Sequence, residues 1–307
     1  MHGCIQWMQP PEITRMQVQK IGALEVHKIL EMEQAAPMTM GFPDLCAEDL
    51  ARLRAWYTDV HLTGDPQTSQ MNLSVHSFVV RCRGRNILID ACNGNHKTRS
   101  IPFAHMLETP YLERLAGAGF APEDIHLVLC THLHGDHVGW NTRLRNGRWA
   151  PTFPNARYVF TRPDVEYFGE HRQEPFHGEA YLDSVLPIIE AGQAQIVETE
   201  HSVLTELDEG VWLSPAPGHS PGSCLIHAKS GGAHGIFSGD VFHHPVELVR
   251  PAMPFFADHD PVLTGITRTQ LFESYADTDV RFFPAHFAEP TVGWVRAHED
   301  AFRFQFI

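Results

Sequence analysis

The chain has 307 residues, of which 43% are apolar, enough for a sizeable core in one large domain or two small ones. Its formal charge of −14 and the lack of any basic run argue against a nucleic-acid partner, because phosphate binding relies on clustered lysine and arginine. The six cysteines (Cys4, Cys46, Cys82, Cys92, Cys130 and Cys224) show neither Cys-x-x-Cys pairing nor dense spacing, which argues against a zinc ribbon and a disulfide scaffold.

Met1–Lys20 carries Pro10-Pro11 and reads as an irregular lead-in; it lacks the basic-then-apolar layout of a secretion signal. With no stretch apolar enough to span a bilayer, a soluble cytoplasmic protein that avoids membranes is expected. Ile21–Leu30 reads as a first strand. Glu31–Gly64 departs from what a sheet needs: Met32, Met38 and Met40 lie close together, ahead of a helical run from Ala47 to Tyr57. The methionines are read as core filler, with an apolar flap over the site or a homodimer contact as the alternative. Residues 1–63 are thus taken as an N-terminal extension of a single domain covering 1–307.

His76–Cys82 and Asn86–Asp90 are strand-like, joined by a glycine turn at Arg83-Gly84-Arg85. Thr109–Gly119 reads as a helix capped by Thr109, with Pro110 in its first turn and glycines at its end. It leads into Ile125–Cys130, an aliphatic run suited to a strand buried on both faces. Ala156–Phe160, Gln195–Thr199, Val211–Ser214, Ser223–His227, Gly235–Ser238 and Val280–Phe283 read as further strands. Ala180–Ile189, Leu263–Tyr275 and Trp294–Phe304 read as helices. Two β-rich halves with helices outside suit an α/β (α+β) four-layer αβ/βα sandwich.

The chemistry concentrates where the strand Ile125–Cys130 ends. His132, His134, Asp136 and His137 fall within six positions. On an extended segment His132 and His134 point the same way, and Gly135 lets the chain turn before Asp136 and His137, so one pair can face one metal ion and the next pair a second. Of the 21 histidines most must be structural or solvated, so only those in such a context count. Three more candidates sit at turns after strand-like runs: His219 in Pro217-Gly218-His219-Ser220-Pro221-Gly222, Asp240 in Ser238-Gly239-Asp240, and His286 in Phe283-Pro284-Ala285-His286.

Thr131-His132-Leu133-His134-Gly135-Asp136-His137 matches the His-x-His-x-Asp-His signature, and the chain resembles the metallo-β-lactamase-fold superfamily of binuclear zinc hydrolases. The segments around His219, Asp240 and His286 resemble its later motifs. The resemblance implies a first metal held by His132, His134 and His219, a second held by Asp136, His137 and His286, and Asp240 shared between them. It implies that Asp90, in Asp90-Ala91-Cys92-Asn93-Gly94, orients metal ligands from behind, as metal histidines require. Two Zn2+ are the first expectation; iron, manganese or cobalt suit the same ligands.

Two cations about 3.5 Å apart hold a bridging hydroxide at neutral pH and polarise a substrate oxygen. The expected reaction is cleavage of a small ester or lactone, with leaving-group protonation from Asp136 or a nearby histidine. Asp240-Val241-Phe242-His243-His244 places His243 close behind the shared aspartate, and no tyrosine occupies 241–250, unlike the acyl-homoserine lactonases. The arrangement is closer to the methyl parathion hydrolase and lactonase-like branch. His243 is read either as a catalytic or substrate contact or as a loop histidine facing solvent. Trp140 and Phe242 are candidate pocket residues, Trp140 belonging to an aromatic-rich stretch with Trp149, Phe153 and Phe168. Phosphotriester, β-lactam and thioester hydrolysis are the alternatives within hydrolases, and an iron-dependent sulfur dioxygenase is the alternative from another class.

Overall fold

Period-two alternation places successive side chains on opposite faces of a strand, and here it divides the core into layers. A computed structural model describes residues 18–206 and 209–307; most of the expected lead-in, with Cys4, lies outside them. In chain order the strands are β1 (Gln19–Ile21), β2 (Leu24–Pro37), β3 (Gln70–Cys82), β4 (Arg85–Ile89), β5 (Ile125–Leu129), β6 (Thr142–Arg145), β7 (Arg148–Pro151), β8 (Arg157–Thr161) and β9 (Ala194–Val197). They continue with β10 (His201–Glu206), β11 (Glu209–Pro215), β12 (Cys224–Ser230), β13 (Ala233–Phe237), β14 (Arg281–Phe283), β15 (Gly293–His298) and β16 (Ala301–Phe306). One seven-stranded sheet runs β1-β2-β3-β4-β5-β8-β9, a second runs β10 through β16 in order, and β6-β7 is a separate hairpin.

The sheets face each other. Phe78, Val80, Ile89 and Leu129 from the first pack with Leu213, Ile226, Phe237 and Phe283 from the second. Their sequence neighbours point outward: Val79 and Val128 meet Tyr111, Leu115 and Phe168 of covering helices, while Ile236 and Phe282 meet Leu271 and Phe272 of the helix Pro261–Tyr275. The result is the four-layer sandwich. Pairing is parallel at β4–β5 and β13–β14, so in each sheet two adjacent strands deliver their C-terminal ends to the same edge. Phe237 and Phe283 stack at 4.7 Å just before the segments carrying Asp240 and His286. Core packing worth about 3–5 kcal/mol per aromatic side chain therefore also sets where those two residues emerge.

Three expectations change, at Trp294–Phe304, at the first strand and at Thr109. Trp294–Phe304 is the β15–β16 hairpin: Val295 and Phe304 are buried partners, and Glu299 takes a positive φ of 54° at the turn. The apolar residues there alternate, which serves a strand as well as the helical spacing once one face has a core to meet. The first strand breaks at Gly22-Ala23 and then runs to Pro37, so β2 pairs with β3 along nearly its whole length. Met38 is core filler, sharing a buried core with Phe42, Leu50, Leu53, Val246, Met253 and Phe255, whereas Met40 is 40% exposed. The helix expected from Thr109 begins at Tyr111 without a side-chain cap, because the Thr109 hydroxyl is directed to Glu31 and Asn95. Among the described residues no helix is long and apolar enough to cross a membrane.

Candidate metal centre

The parallel neighbours β4 and β5 end in Asp90 and in Cys130-Thr131-His132. Asp90 takes a left-handed φ of 54°, which aspartate tolerates better than most residues. From there its carboxylate accepts from Thr131 N (2.8 Å), Thr131 Oγ1 (2.8 Å) and His137 Nδ1 (2.9 Å). Ala91 N donates to His137 O, and Gly139 N to Cys92 O, so the loop after β4 and the loop after β5 are laced together. Gly139 has to be glycine, since a Cβ there would lie 1.7 Å from Asn93 O.

Across the interface between sheets, the turn after β11 brings in His219, the end of β13 brings in Asp240, and the end of β14 brings in His286. The structure gathers all seven expected ligands into two groups: His132, His134, His219 and Asp240, whose ligand atoms lie within 4.8 Å of one another, and Asp136, His137 and His286 under the same limit. In the first, His134 Nδ1 is 3.0 Å from His132 Nε2 and 2.9 Å from His219 Nε2. In the second, His137 Nε2 and His286 Nε2 are 3.3 Å apart. Asp240 spans both: Oδ1 lies 3.2 Å from His137 Nε2 and 3.1 Å from His286 Nε2, while Oδ2 lies 3.3 Å from His219 Nε2 and 3.7 Å from His132 Nε2.

Hydrogen-bond partners behind the rings assign the tautomers. His137 Nδ1 donates to Asp90, His219 Nδ1 to Asp258 Oδ1 (3.0 Å) and His286 Nδ1 to the Ser74 carbonyl (3.1 Å). The Thr131 hydroxyl, already donating to Asp90, accepts from His132 Nδ1 at 3.1 Å. Each of these four rings thus turns a bare Nε2 toward its neighbours, and Asp240 Oδ1 is buried with no hydrogen-bond partner. Lone pairs converging this closely repel one another unless a cation sits between them. Four ligands at about 2.1 Å on a tetrahedron are about 3.4 Å apart, which the observed spacings bracket. The residues present therefore fit a metal pair.

Electrostatics agree. Burial, joined by neighbouring imidazoles, holds His132 and His134 well below the usual histidine range and so neutral, as ligands must be. Burial would raise Asp240, but the histidines around it reverse this and keep it a carboxylate. His137 is pushed well above its ordinary value against the effect of burial, by Asp240, Asp136 and Asp90. This pocket of negative charge takes up either a proton or a metal ion.

His243 joins the site. Its Nε2 is 3.2 Å from Asp240 Oδ2, and its Nδ1 is 3.3 Å from Glu247 Oε1. Glu247 is in turn paired with the fully buried Arg268 at 2.8 Å. The ring stacks on Phe255 with centroids 3.6 Å apart. Two proposed pocket residues do not line the cleft. Trp140 is buried against Tyr111, its Nε1 donating to Glu31 Oε1 at 2.6 Å, because its backbone is drawn onto Ala91. Phe242 points away from the site into the outer core with Phe272 and Phe287. Phe153 and Phe168 are likewise core. The cleft over these residues is walled by Met32, Val75, Ile101, Phe176, Phe255 and Phe256.

Sequence reasoning missed Glu31, Asp164, Glu247, Asp258 and Arg268. Asp164 accepts from Ser220 Oγ (2.9 Å) and Gly222 N (2.6 Å) and so shapes the His219 turn. None of these residues lies in a ligand motif, and all but Glu247, which sits four positions after His243, acquire their roles through contacts distant in sequence.

The profile of the Metallo-beta-lactamase superfamily matches residues 72–286. An N-acyl homoserine lactonase of Bacillus cereus is 31% identical over 121 residues, 38% of this chain and 39% of the relative. A ribonuclease of Thermus thermophilus is 28% identical over 151 residues, 46% of this chain and 32% of the relative. A probable metallo-hydrolase of Mycobacterium tuberculosis is 24% identical over 182 residues, 57% of each. The chain therefore spans between about a third and three-fifths of the length of these relatives. Among solved structures, a dizinc quorum-quenching lactonase in complex with a product superposes with a TM-score of 0.74 at 19% identity, covering 95% of this chain and 97% of that one. A hydrolase of the β-lactamase superfamily superposes with a TM-score of 0.75 at 21% identity, covering 94% and 96%. At such identities the likeness is one of fold.

Proposed function

The chain belongs to the metallo-β-lactamase superfamily, and on that premise we propose that it is a hydrolase that uses two metal ions to cleave a small ester or lactone. The observation that carries this reading is Asp240, whose two oxygens face two separate groups of ligands at the floor of a largely apolar cleft. His132, His134 and His219 would hold one ion, Asp136, His137 and His286 the other, with Asp240 shared. Bound there, two cations, zinc first among them, lower the pKa of water and polarise a substrate carbonyl.

The protein's own groups supply the rest. Cys92, Cys130 and Cys224 are buried and their thiols are pushed well up, so they are poor nucleophiles and water is the attacking group. His243, held through Nδ1 by Glu247, lines the cleft with Nε2 set 3.2 Å from Asp240 Oδ2, and from there it would hold a substrate oxygen or pass a proton to the leaving group. Asp136, with a third of its side chain exposed (34%), is the other group placed to do so. The apolar walls exclude water around a neutral acyl group, which suits an ester or lactone better than a polyanion. The charge of −14 also weighs against an RNA substrate, despite the ribonuclease relative.

The test is a panel assay of the zinc-loaded protein on lactones, aryl esters, thioesters, β-lactams and phosphotriesters. Highest kcat/KM on lactones or carboxylic esters supports the reading; highest kcat/KM on phosphotriesters, β-lactams or thioesters contradicts it. An absorbing iron centre with no hydrolysis of any substrate would favour a sulfur dioxygenase.

A further inference from the structure

Behind the His219 ring lies Asp258, whose side chain is fully buried. Oδ1 accepts from His219 Nδ1 at 3.0 Å and Oδ2 accepts from Phe255 N at 2.9 Å. Two backbone bonds reinforce the link, from His259 N to His219 O (3.1 Å) and from Asp260 N to Gly218 O (2.9 Å). The segment clamped in this way is a wall of the cleft: Phe255, Phe256 and Ala257 all line it, and Phe255 carries the stacked ring of His243. One carboxylate therefore binds a metal ligand with one oxygen and the substrate wall with the other.

We propose that Asp258 is a positioning residue that couples the first metal group, through His219, to the shape of the substrate cleft at Phe255–Ala257. The physical reason lies in tautomer control. A cation on His219 Nε2 requires the ring proton on Nδ1, and that proton then has one buried acceptor. Filling the site strengthens the Nδ1–H bond, holds the carboxylate still, and so orders the backbone that bonds to its other oxygen. Conversely, a wall displaced by substrate pulls on the ligand. The coupling rests on the two-metal reading above and is independent of which substrate the enzyme takes.

Asp258→Asn isolates the link, because an amide oxygen can accept from Phe255 N–H or from His219 Nδ1–H but not from both. The experiment uses the full chain, stripped with chelator and reloaded with zinc, and measures zinc affinities by competition and amide exchange over 255–257. In the wild type, zinc loading slows exchange in this segment. In Asp258→Asn one of two zinc affinities falls about 10–100-fold, the other holds, and zinc no longer slows exchange there. A merely structural carboxylate would lower the melting temperature of the metal-free protein and leave both zinc affinities unchanged, which overturns the proposal. If the variant does not fold, wild-type exchange decides alone: exchange at 255–257 that is indifferent to zinc also overturns it. A wild type that takes up no zinc overturns the two-metal reading together with the coupling.

Discussion

Asp240 Oδ1 lies 3.1 Å from His286 Nε2, at the end of the neighbouring parallel strand, and the opposite oxygen faces His219 on the far side of the site. One carboxylate thus joins two ligand groups that the chain assembles separately. His286→Ala removes a ligand from the second group only. It is expected to lower metal content from two ions toward one per chain and to reduce kcat by at least about 100-fold, with the far-ultraviolet spectrum retained. Elemental analysis beside steady-state kinetics checks this; unchanged metal content with unchanged turnover contradicts it.

Asp240→Ala goes further. It leaves the bare nitrogens of both groups without their shared anion, so metal and turnover are lost together while the fold persists. Recovery of full activity in Asp240→Ala on adding excess zinc would remove Asp240 from the site.

His243 touches Asp240, Glu247 and Phe255 and belongs to neither ligand group. For His243→Gln the expectation is a kcat reduced about 10–100-fold, within the range for loss of a general acid, with metal content unchanged. Loss of one metal ion in this variant would make His243 a ligand instead.

Glu31 accepts from Asn93 N, Asn93 Nδ2, Gly94 N, Trp140 Nε1 and Thr109 Oγ1, at distances from 2.6 to 3.3 Å. Glu31→Leu strands these buried donors and is expected to cost about 3 kcal/mol or more. Denaturant unfolding of the metal-free protein measures this. A loss under about 1 kcal/mol would show that the donors find other acceptors.

His227 belongs to neither metal group and is stacked on Trp212 and bonded to Ser214 Oγ and His234. Burial, with the help of His234, pushes its pKa down to about 3. Unfolded, the ring takes a proton near pH 6.5, and folded it does not, so its contribution to stability is present above about pH 6.5 and is lost as pH falls toward about 3, by about 1.4 kcal/mol per unit at the steepest. The unfolding free energy of His227→Gln should therefore fall less than that of the wild type between those pH values. Parallel curves would contradict the buried, neutral ring.

The residues gathered at the candidate metal centre were legible because each is local: His132 to His137 lie in one run, and His219, Asp240 and His286 each follow a strand in a turn that carries glycine or proline. The strands that carry them were legible for the same reason. What surrounds them was not. Asp258 reaches His219 from 39 positions away, and Glu31 reaches Trp140 from 109. The composition around Trp140 suits a pocket or a core equally well, and only its hydrogen bond to Glu31 separates the two. The misread helix at Trp294–Phe304 shows the same limit, since an alternating run becomes a strand only when β14 is there to pair with it.

Shared use of Asp240 by two metal ions is tested by a zinc titration of the stripped protein with turnover of a lactone followed at each step. Activity is expected to rise until about two equivalents per chain have been bound, with Asp240→Ala inactive throughout. Full activity at one equivalent, or turnover indifferent to chelator, would contradict it.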